Sequence, residues 1–553
     1  MKLNRDHLLI LILGAVLFIP FLGQVHLFDW DEINFAEAAR EMIRTHHYTL
    51  VQINYEPFWE KPPLFIWMQV ASMQLFGVNE FAARFPNAVI GIITLLCVYA
   101  VGRKLFDRRM GIYWVLTYAG SILPHFYFKS GIIDPTFNLF IFLGIYAFTE
   151  FLQHIELGSR SRAFRAISLA GISLGLAVLT KGPVALLIFV LCFLVYQLLR
   201  FRKVCFYGLH YLWMALLAAG ISSVWVLLVV RESGWGIMQQ FLNYQVRLLR
   251  TGDAGHSGFL LYHWVVLLLG CFPASLLLFF AFSRKSAGYL NSRQRRFSLW
   301  MKVMFWVVLI LFTLVKTKIV HYSSLCWFPL TFLAARVLWL HAIEPLRIPR
   351  IWSIGTALLT GLLGLILLAL PLAGLFSADL ASAISDPLTR EALHARVSWH
   401  AGELGIGLLF LGIAAYGYFF LIRKKELLSG FFLLFAASIS MVQLASVDFV
   451  PKIEQYSQGS NIRFFESLRG KTVYAVPVNF KSYAQLFYTN LAPPAGPRVS
   501  NIDSLIRGRI NQDVYFVARN TGDLSYLNHP DITWLYSENG YSYYLRKAGS
   551  GKK

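Results

Sequence analysis

Apolar stretches of about 20 residues, each long enough to cross the hydrocarbon core of a bilayer, recur from one end of this chain to the other. They fall near residues 7–28, 82–101, 111–128, 132–151, 164–180, 183–200, 206–230, 259–282, 297–315, 320–340, 351–374, 403–422 and 428–448, so 13 membrane-spanning helices are expected. Composition agrees, since only 14% of the 553 residues are charged, against about 25% in soluble domains. The chain is read as a polytopic α-helical membrane protein. Its first apolar run is too long for a signal peptide and lacks a small-residue cleavage site, so it is expected to remain as an uncleaved first span.

The net charge of +21 does not point to nucleic acid, because the basic residues sit in short loops rather than on one soluble face. Clusters such as Arg103-Lys104, Arg160…Arg165, Arg200–Lys203, Arg347…Arg350 and Arg423–Lys425 occupy alternate connections on the side of the N-terminus. The positive-inside rule makes that side cytoplasmic. The opposite side then carries the loop after the first span, Asp134, Lys181, the 231–258 loop and Lys316–Tyr322. Five cysteines without a CxxC pair give neither a disulfide nor a metal framework. No Walker A sequence occurs, which argues against an ATP-driven pump.

Two segments stand apart from the spans. In the loop 29–78, DEINFAEAAREMIR has amphipathic helical spacing with Asp31 and Glu32 in its first turn, where the helix dipole favours negative charge. After Pro62-Pro63, LFIWMQVASMQLFG is apolar but too short to span. Both are expected to lie in the interface plane as a ledge at the outer surface. The segment 451–553 has four stretches rich in Tyr and Val, KTVYAVPV, DVYFVARN, ITWLYSEN and YSYYLRK, and reads as a small soluble α/β domain. The expected division is a transmembrane catalytic domain over 1–450 and this domain over 451–553.

The outer-side loops hold the candidate chemistry. An acid at the mouth of a membrane helix is costly near lipid, which makes Asp31 and Asp134 candidates for a shared site, although Asp also caps helices. Lys61, Lys181, Arg247, Arg250, Lys316 and Lys318, with His321 and Tyr322 beside them, would form a cationic ring suited to a phosphate or pyrophosphate. Glu60, rigidly placed by Pro62-Pro63, is a candidate anion or metal contact. His256 and His263 either bind a metal or make ordinary hydrogen bonds.

Taken in order, DE-x-x-F-AE-x-AREM, FWEKPPL, FG-x-NE-x-AAR, the Asp134 loop, LTKGP, RTGD-x-x-H and K-x-K-x-x-HY resemble the bacterial lipid-phosphosugar glycosyltransferases of the GT-C class, relatives of the protein O-mannosyltransferases. The similarity is closest to the aminoarabinose transferases that modify lipid A. The resemblance implies a GT-C fold with 13 spans, periplasmic interface helices and a periplasmic C-terminal domain in a bacterial inner membrane. It implies an undecaprenyl-phosphate sugar donor and an acceptor reached from the periplasmic side, either lipid A or another lipid or protein. It makes Asp31 the acid closest to the chemistry and Asp134 a second acid. Lys61, Arg247, Lys318 and Tyr322 become phosphate contacts, and Glu60 and His256 the residues for a divalent metal, Zn or Mg. A monomer is expected. Two positions depart from the family pattern: Asn34-Phe35 stands where Arg-Tyr is frequent, and Tyr244 where a His is frequent. The rival readings are a protein O-glycosyltransferase, a ligase for pyrophosphate-linked glycans, and a lipid or polysaccharide flippase or transporter. The last lacks a visible inverted repeat.

Overall fold

The computed structural model describes residues 4–200, 207–250, 258–282, 289–345, 349–492 and 502–549. Among them nine helices are long and apolar enough to cross a membrane, or ten if the pair Tyr262–Gly270 and Ala274–Ala281, bent by 106°, is one span. The other three expected spans fall on shorter helices. Arg5–Phe18 has 14 residues, Val184–Leu199 has 16, and the run at 111–128 breaks at Gly120-Ser121 into Arg108–Ala119 and Ile122–Tyr127.

The spans differ in what surrounds them, and the difference locates the site. The apolar windows of Gly208–Ser233 and Arg350–Leu375 are only 22% buried and face outward. Those of Asp134–Glu156 and Val320–His341 are 83% and 100% buried, which places these helices at the centre of the bundle. Asp134 opens the first, and His321 and Tyr322 lie in the first turn of the second. A polar residue at the end of a central helix faces protein rather than lipid, where its desolvation can be offset by partners.

Both interface helices form as the sequence predicts, at Asp31–Thr45 and Leu64–Phe76, the second ending at Gly77 with φ 80°. A short hairpin joins them, β1 (Gln52–Ile53) against β2 (Glu56–Pro57), with positive φ at both turn residues, Asn54 and Tyr55. The first helix is not a ledge with one face in water. Residues Glu32 through Met42 are all buried, because the C-terminal segment roofs it.

That segment contains the four expected strands, β3 (Val473–Val478), β4 (Asp513–Arg519), β5 (Ile532–Glu538) and β6 (Tyr541–Arg546), in the order β3-β4-β6-β5. The β3/β4 pair is parallel and the rest antiparallel. Two features correct the expected division at residue 451. The last span runs unbroken from Leu427 to Ser457 through Pro451. The carbonyl that proline leaves without its helical donor, that of Val447, accepts instead from Gln24 Nε2 at 3.1 Å. Moreover, one apolar core joins Ile33, Phe35, Phe65 and Ile66 of the interface helices to Phe464, Phe465, Phe487, Val517 and Tyr543. The loop 29–78 and the C-terminal segment therefore pack as one unit.

Candidate functional site

The first interface helix begins at Asp31, but Asp31 does not cap it. The N-cap is Trp30, no side chain closes that end, and the Asp31 carboxylate keeps 31% of its side-chain surface exposed. Its Oδ2 lies 3.7 Å from Nε2 of His321. Asp134 likewise opens its helix without capping it, and its Oδ1 instead takes the Lys181 ammonium at 2.6 Å, with the Asp134 side chain 3% exposed. Lys181 is the last residue of the helix Arg160–Lys181. There Gly182, at φ 94°, supplies the left-handed turn that lets Pro183 start the next helix at once.

These residues converge. His321 lies within electrostatic reach of Asp31, Asp134, Lys181 and Lys61, which are drawn from four separate stretches of sequence. The Lys181 ammonium sits over the rings of Tyr322 and Phe137, 5.5 and 5.6 Å from their centroids. Nearby, Tyr244 donates its hydroxyl to Glu60 at 3.0 Å, and Lys61 and Arg247 flank the same ring at 5.7 and 5.2 Å. Lys316 is exposed and has no ion-pair or hydrogen-bond partner among the described residues.

Lys318 is a correction to the expected cationic ring. Its buried ammonium donates to the carbonyls of Phe312, Thr313 and Val315 at 2.7–2.9 Å, closing the C-terminus of the span Ser292–Leu314. A cation satisfying three orphan carbonyls has no donor left for a phosphate. Of the expected metal pair, Glu60 alone lies among the described residues. Glu60 has the Tyr244 hydroxyl and, 3.9 Å away, the Lys61 ammonium against it, both competitors of a metal cation. Among the described residues no three His, Cys, Asp or Glu side chains converge as a divalent ion requires. His256 lies outside the described residues. His263 is buried with Nδ1 3.1 Å from Ser323 Oγ, which is the ordinary hydrogen bond of the two readings left open for it.

Sequence reasoning missed the residues that hold the site together. Glu32, next to Asp31, is buried and accepts from Nε and Nη2 of Arg84 at 3.0 and 2.8 Å. The same carboxylate accepts the backbone N–H of Phe28 at 2.9 Å and of Gly131 at 2.5 Å. One side chain thus ties the Asp31 loop to the Asp134 loop. Burial alone would raise the Glu32 pKa, but Arg84 and the two amides hold it below the ordinary carboxylate value. Arg84 further donates to the carbonyls of Leu22, Val25 and His26, fixing the chain that leads out of the first helix. From the opposite side Gln458 accepts from the Asp29 amide at 3.2 Å and donates to the Leu27 carbonyl at 2.8 Å. Tyr488 accepts the Leu27 amide at 2.8 Å, and Tyr483 packs on Trp30. Tyr127 was also missed, and lies within electrostatic reach of Asp134 and Asp31. The motif AAR carried a signal for Arg84, since an arginine inside an apolar span needs a buried partner.

Further along the first interface helix, Glu37 pairs with Arg40 at 2.6 and 2.7 Å, and Arg40 reaches Asn490 and the Leu491 carbonyl of the C-terminal segment. Glu41 accepts the amides of Asn54 and Tyr55, fixing the hairpin turn. Burial first, and the adjacent Glu37 carboxylate second, push the Glu41 pKa well above its ordinary value.

With this geometry in hand, comparison with solved structures decides the architecture. ArnT from Cupriavidus metallidurans, in a crystal structure bound to undecaprenyl phosphate, superposes with a TM-score of 0.75 over 99% of both chains at 17% identity. The chain has the ArnT fold. That is a polytopic helical membrane fold of the GT-C type with a small C-terminal sheet, and the resemblance seen in the sequence motifs is borne out. Residues 60–226 match the family model described as dolichyl-phosphate-mannose-protein mannosyltransferase, a stretch that includes Lys61, Asp134 and Lys181. The chain is also similar to the undecaprenyl phosphate-alpha-4-amino-4-deoxy-L-arabinose arabinosyl transferases of Shewanella sediminis and Pectobacterium carotovorum. The first is 26% identical over 58% of this chain, the second 27% over 61%. The matched stretches span 57% and 59% of those two relatives, less than two thirds of their length.

Proposed function

We propose that this chain is an integral-membrane glycosyltransferase that moves a sugar from undecaprenyl phosphate to an acceptor at the outer face of a bacterial inner membrane. The observation that carries the reading is the convergence of Asp31, Asp134, Lys181 and Lys61 on His321 at one end of the two most buried spans. The orientation rests on the basic loops, which put the N-terminus in the cytoplasm and this site, with the C-terminal segment, in the periplasm. The relatives' names point to 4-amino-4-deoxy-L-arabinose as the sugar, and lipid A is the acceptor that suits it.

In the reaction an acceptor oxygen attacks the anomeric carbon on the face opposite the donor phosphate. The bond from that carbon to the phosphate oxygen breaks with its electron pair, undecaprenyl phosphate departs, and the configuration inverts. Lys61, Arg247 and Lys316 offer the positive charge that stabilises the departing phosphate as its negative charge grows. An acceptor hydroxyl gives its proton to Asp31, while an acceptor phosphate, whose second pKa is about 6, is already anionic near neutral pH. In that case Asp31 and His321 orient the attacking group. The pair Lys181–Asp134 holds the second carboxylate fixed beside them. The C-terminal segment acts on the chemistry by clamping residues 27–30, which places Asp31.

The family model that matches 60–226 takes its name from protein mannosyltransferases, which favours a protein acceptor as the second reading. The test is transfer in detergent with a panel of undecaprenyl-phosphate sugars and both acceptor classes, comparing wild type with Asp31→Asn. Transfer by the wild type and its loss in a folded mutant support the proposal. Full activity in the mutant removes Asp31 from the mechanism, and no transfer from any donor overturns the proposal.

A further inference from the structure

A cavity of about 460 Å³ opens where the connection between the helices Arg350–Leu375 and Leu404–Phe419 meets the C-terminal sheet. His394 and Arg396 come from that connection, Gln455 from the end of the last span, Arg463 from the helix Gly459–Ser467, and Tyr536 and Glu538 from the edge strand β5. None of these residues belongs to the site around His321. The volume is that of a small-ligand site, and its polar lining does not suit an acyl chain.

The charge in the cavity is unbalanced. Its one carboxylate, Glu538, is paired with Arg463 at 2.9 Å. Arg396 and His394 have no side-chain partner among the described residues. Arg396 is exposed at the rim of the cavity, and a guanidinium without a side-chain partner there is a fork open to a phosphate or carboxylate. The aromatic wall is preset as well. Tyr536 is 40% exposed, and its far face is backed by Tyr543, stacked at 4.6 Å. A fixed ring with one open face beside hydrogen-bonding side chains suits the apolar face of a sugar ring. Gln455 is three residues from the Gln458 that clamps Asp29, so the cavity and the catalytic loop are served by the same helix end.

We propose that this cavity binds an anionic saccharide, a sugar bearing phosphate or carboxylate, with Arg396 on the anion and Tyr536 against the ring. As the acceptor's headgroup subsite it rests on the transferase reading; as a binding site it does not. The test is calorimetry on the full chain in detergent, titrated with a deacylated bisphosphorylated glucosamine disaccharide, digalacturonate, the neutral disaccharide, and inorganic phosphate. Binding of either anionic saccharide, weakened at least tenfold by Arg396→Gln and partly restored by Arg396→Lys, supports the proposal, as does weakening by Tyr536→Ala. Undecaprenyl phosphate binding is expected to be unchanged in all three variants, which also shows that they fold. Equal binding by Arg396→Gln and wild type, equal binding of the neutral disaccharide, or phosphate binding as tightly as the disaccharides overturns it, as does no saccharide binding at all. If the chain transfers sugar yet binds no anionic saccharide here, the cavity proposal falls and the transferase reading stands. If it binds with this dependence on Arg396 but transfers from no donor, the reverse holds.

Discussion

At the head of the first interface helix Asp31 keeps 31% of its side chain exposed and faces His321 at 3.7 Å. Further along the same helix Glu37, Arg40 and Glu41 are sealed between the hairpin and the C-terminal segment, with every oxygen of Glu37 and Glu41 taken by a donor. Glu32, adjacent to Asp31, belongs with the sealed group. The cations divide in the same way. Lys61 sits beside Glu60 and Tyr244 and Lys316 is exposed, whereas Lys318, only two residues from Lys316, closes a helix. The lesson is that charge around the candidate site serves two ends, holding the fold or staying open to a ligand, and that neighbours in sequence can serve different ones.

The sharpest way to break this division is Asp31→Asn. It is expected to lower the single-turnover transfer rate by about 10²–10⁴-fold while leaving the thermal midpoint near that of wild type. An equally large fall in midpoint would place Asp31 with the sealed group. Glu32→Gln is the converse case. It leaves Arg84 buried without its counter-charge, at a cost of about 3–5 kcal/mol, so thermal unfolding in detergent should show a large loss of stability. A stable but inactive Glu32→Gln protein would move Glu32 to the ligand side.

The lysines offer a finer test. Lys61→Met is expected to raise the donor KM about tenfold, the weight of one charge-assisted contact, and Lys318→Met to lower the midpoint without moving that KM. Acid–base linkage separates the groups further. Glu41 is pushed above its ordinary value of 4.5, so above that pH the folded chain keeps a proton that the unfolded chain has lost. Stability should therefore fall as pH rises from about 5 to about 9, and Glu41→Gln should flatten that slope in a series of thermal midpoints. The smallest effect concerns Glu60. Removing divalent ions with EDTA should change transfer less than about twofold, because Tyr244 and Lys61 already surround that carboxylate; a larger loss, restored by added metal, would refute this.

Much of the molecule was legible in its residues. Apolar run length marked the spans, because a helix must match a bilayer of fixed thickness. The two interface helices and all four strands of the sheet fell where local pattern put them, since capping, proline and alternation act over a few residues. The loops whose charges meet around His321 were also marked in the sequence, because an acid or lysine beside a membrane helix is costly to place near lipid.

What only the tertiary structure decided is the use of each charge and the association of distant pieces. Nothing local in the sequence says that Glu32 binds Arg84 and Gly131, that Lys318 turns to three carbonyls, or that Gln458 grips the chain before Asp31. Nor does it say that the C-terminal segment shares its core with the loop 29–78. Those outcomes depend on which groups lie within about 3 Å once the helices are packed, because hydrogen bonds and desolvation are short-range terms that no spacing along the chain encodes.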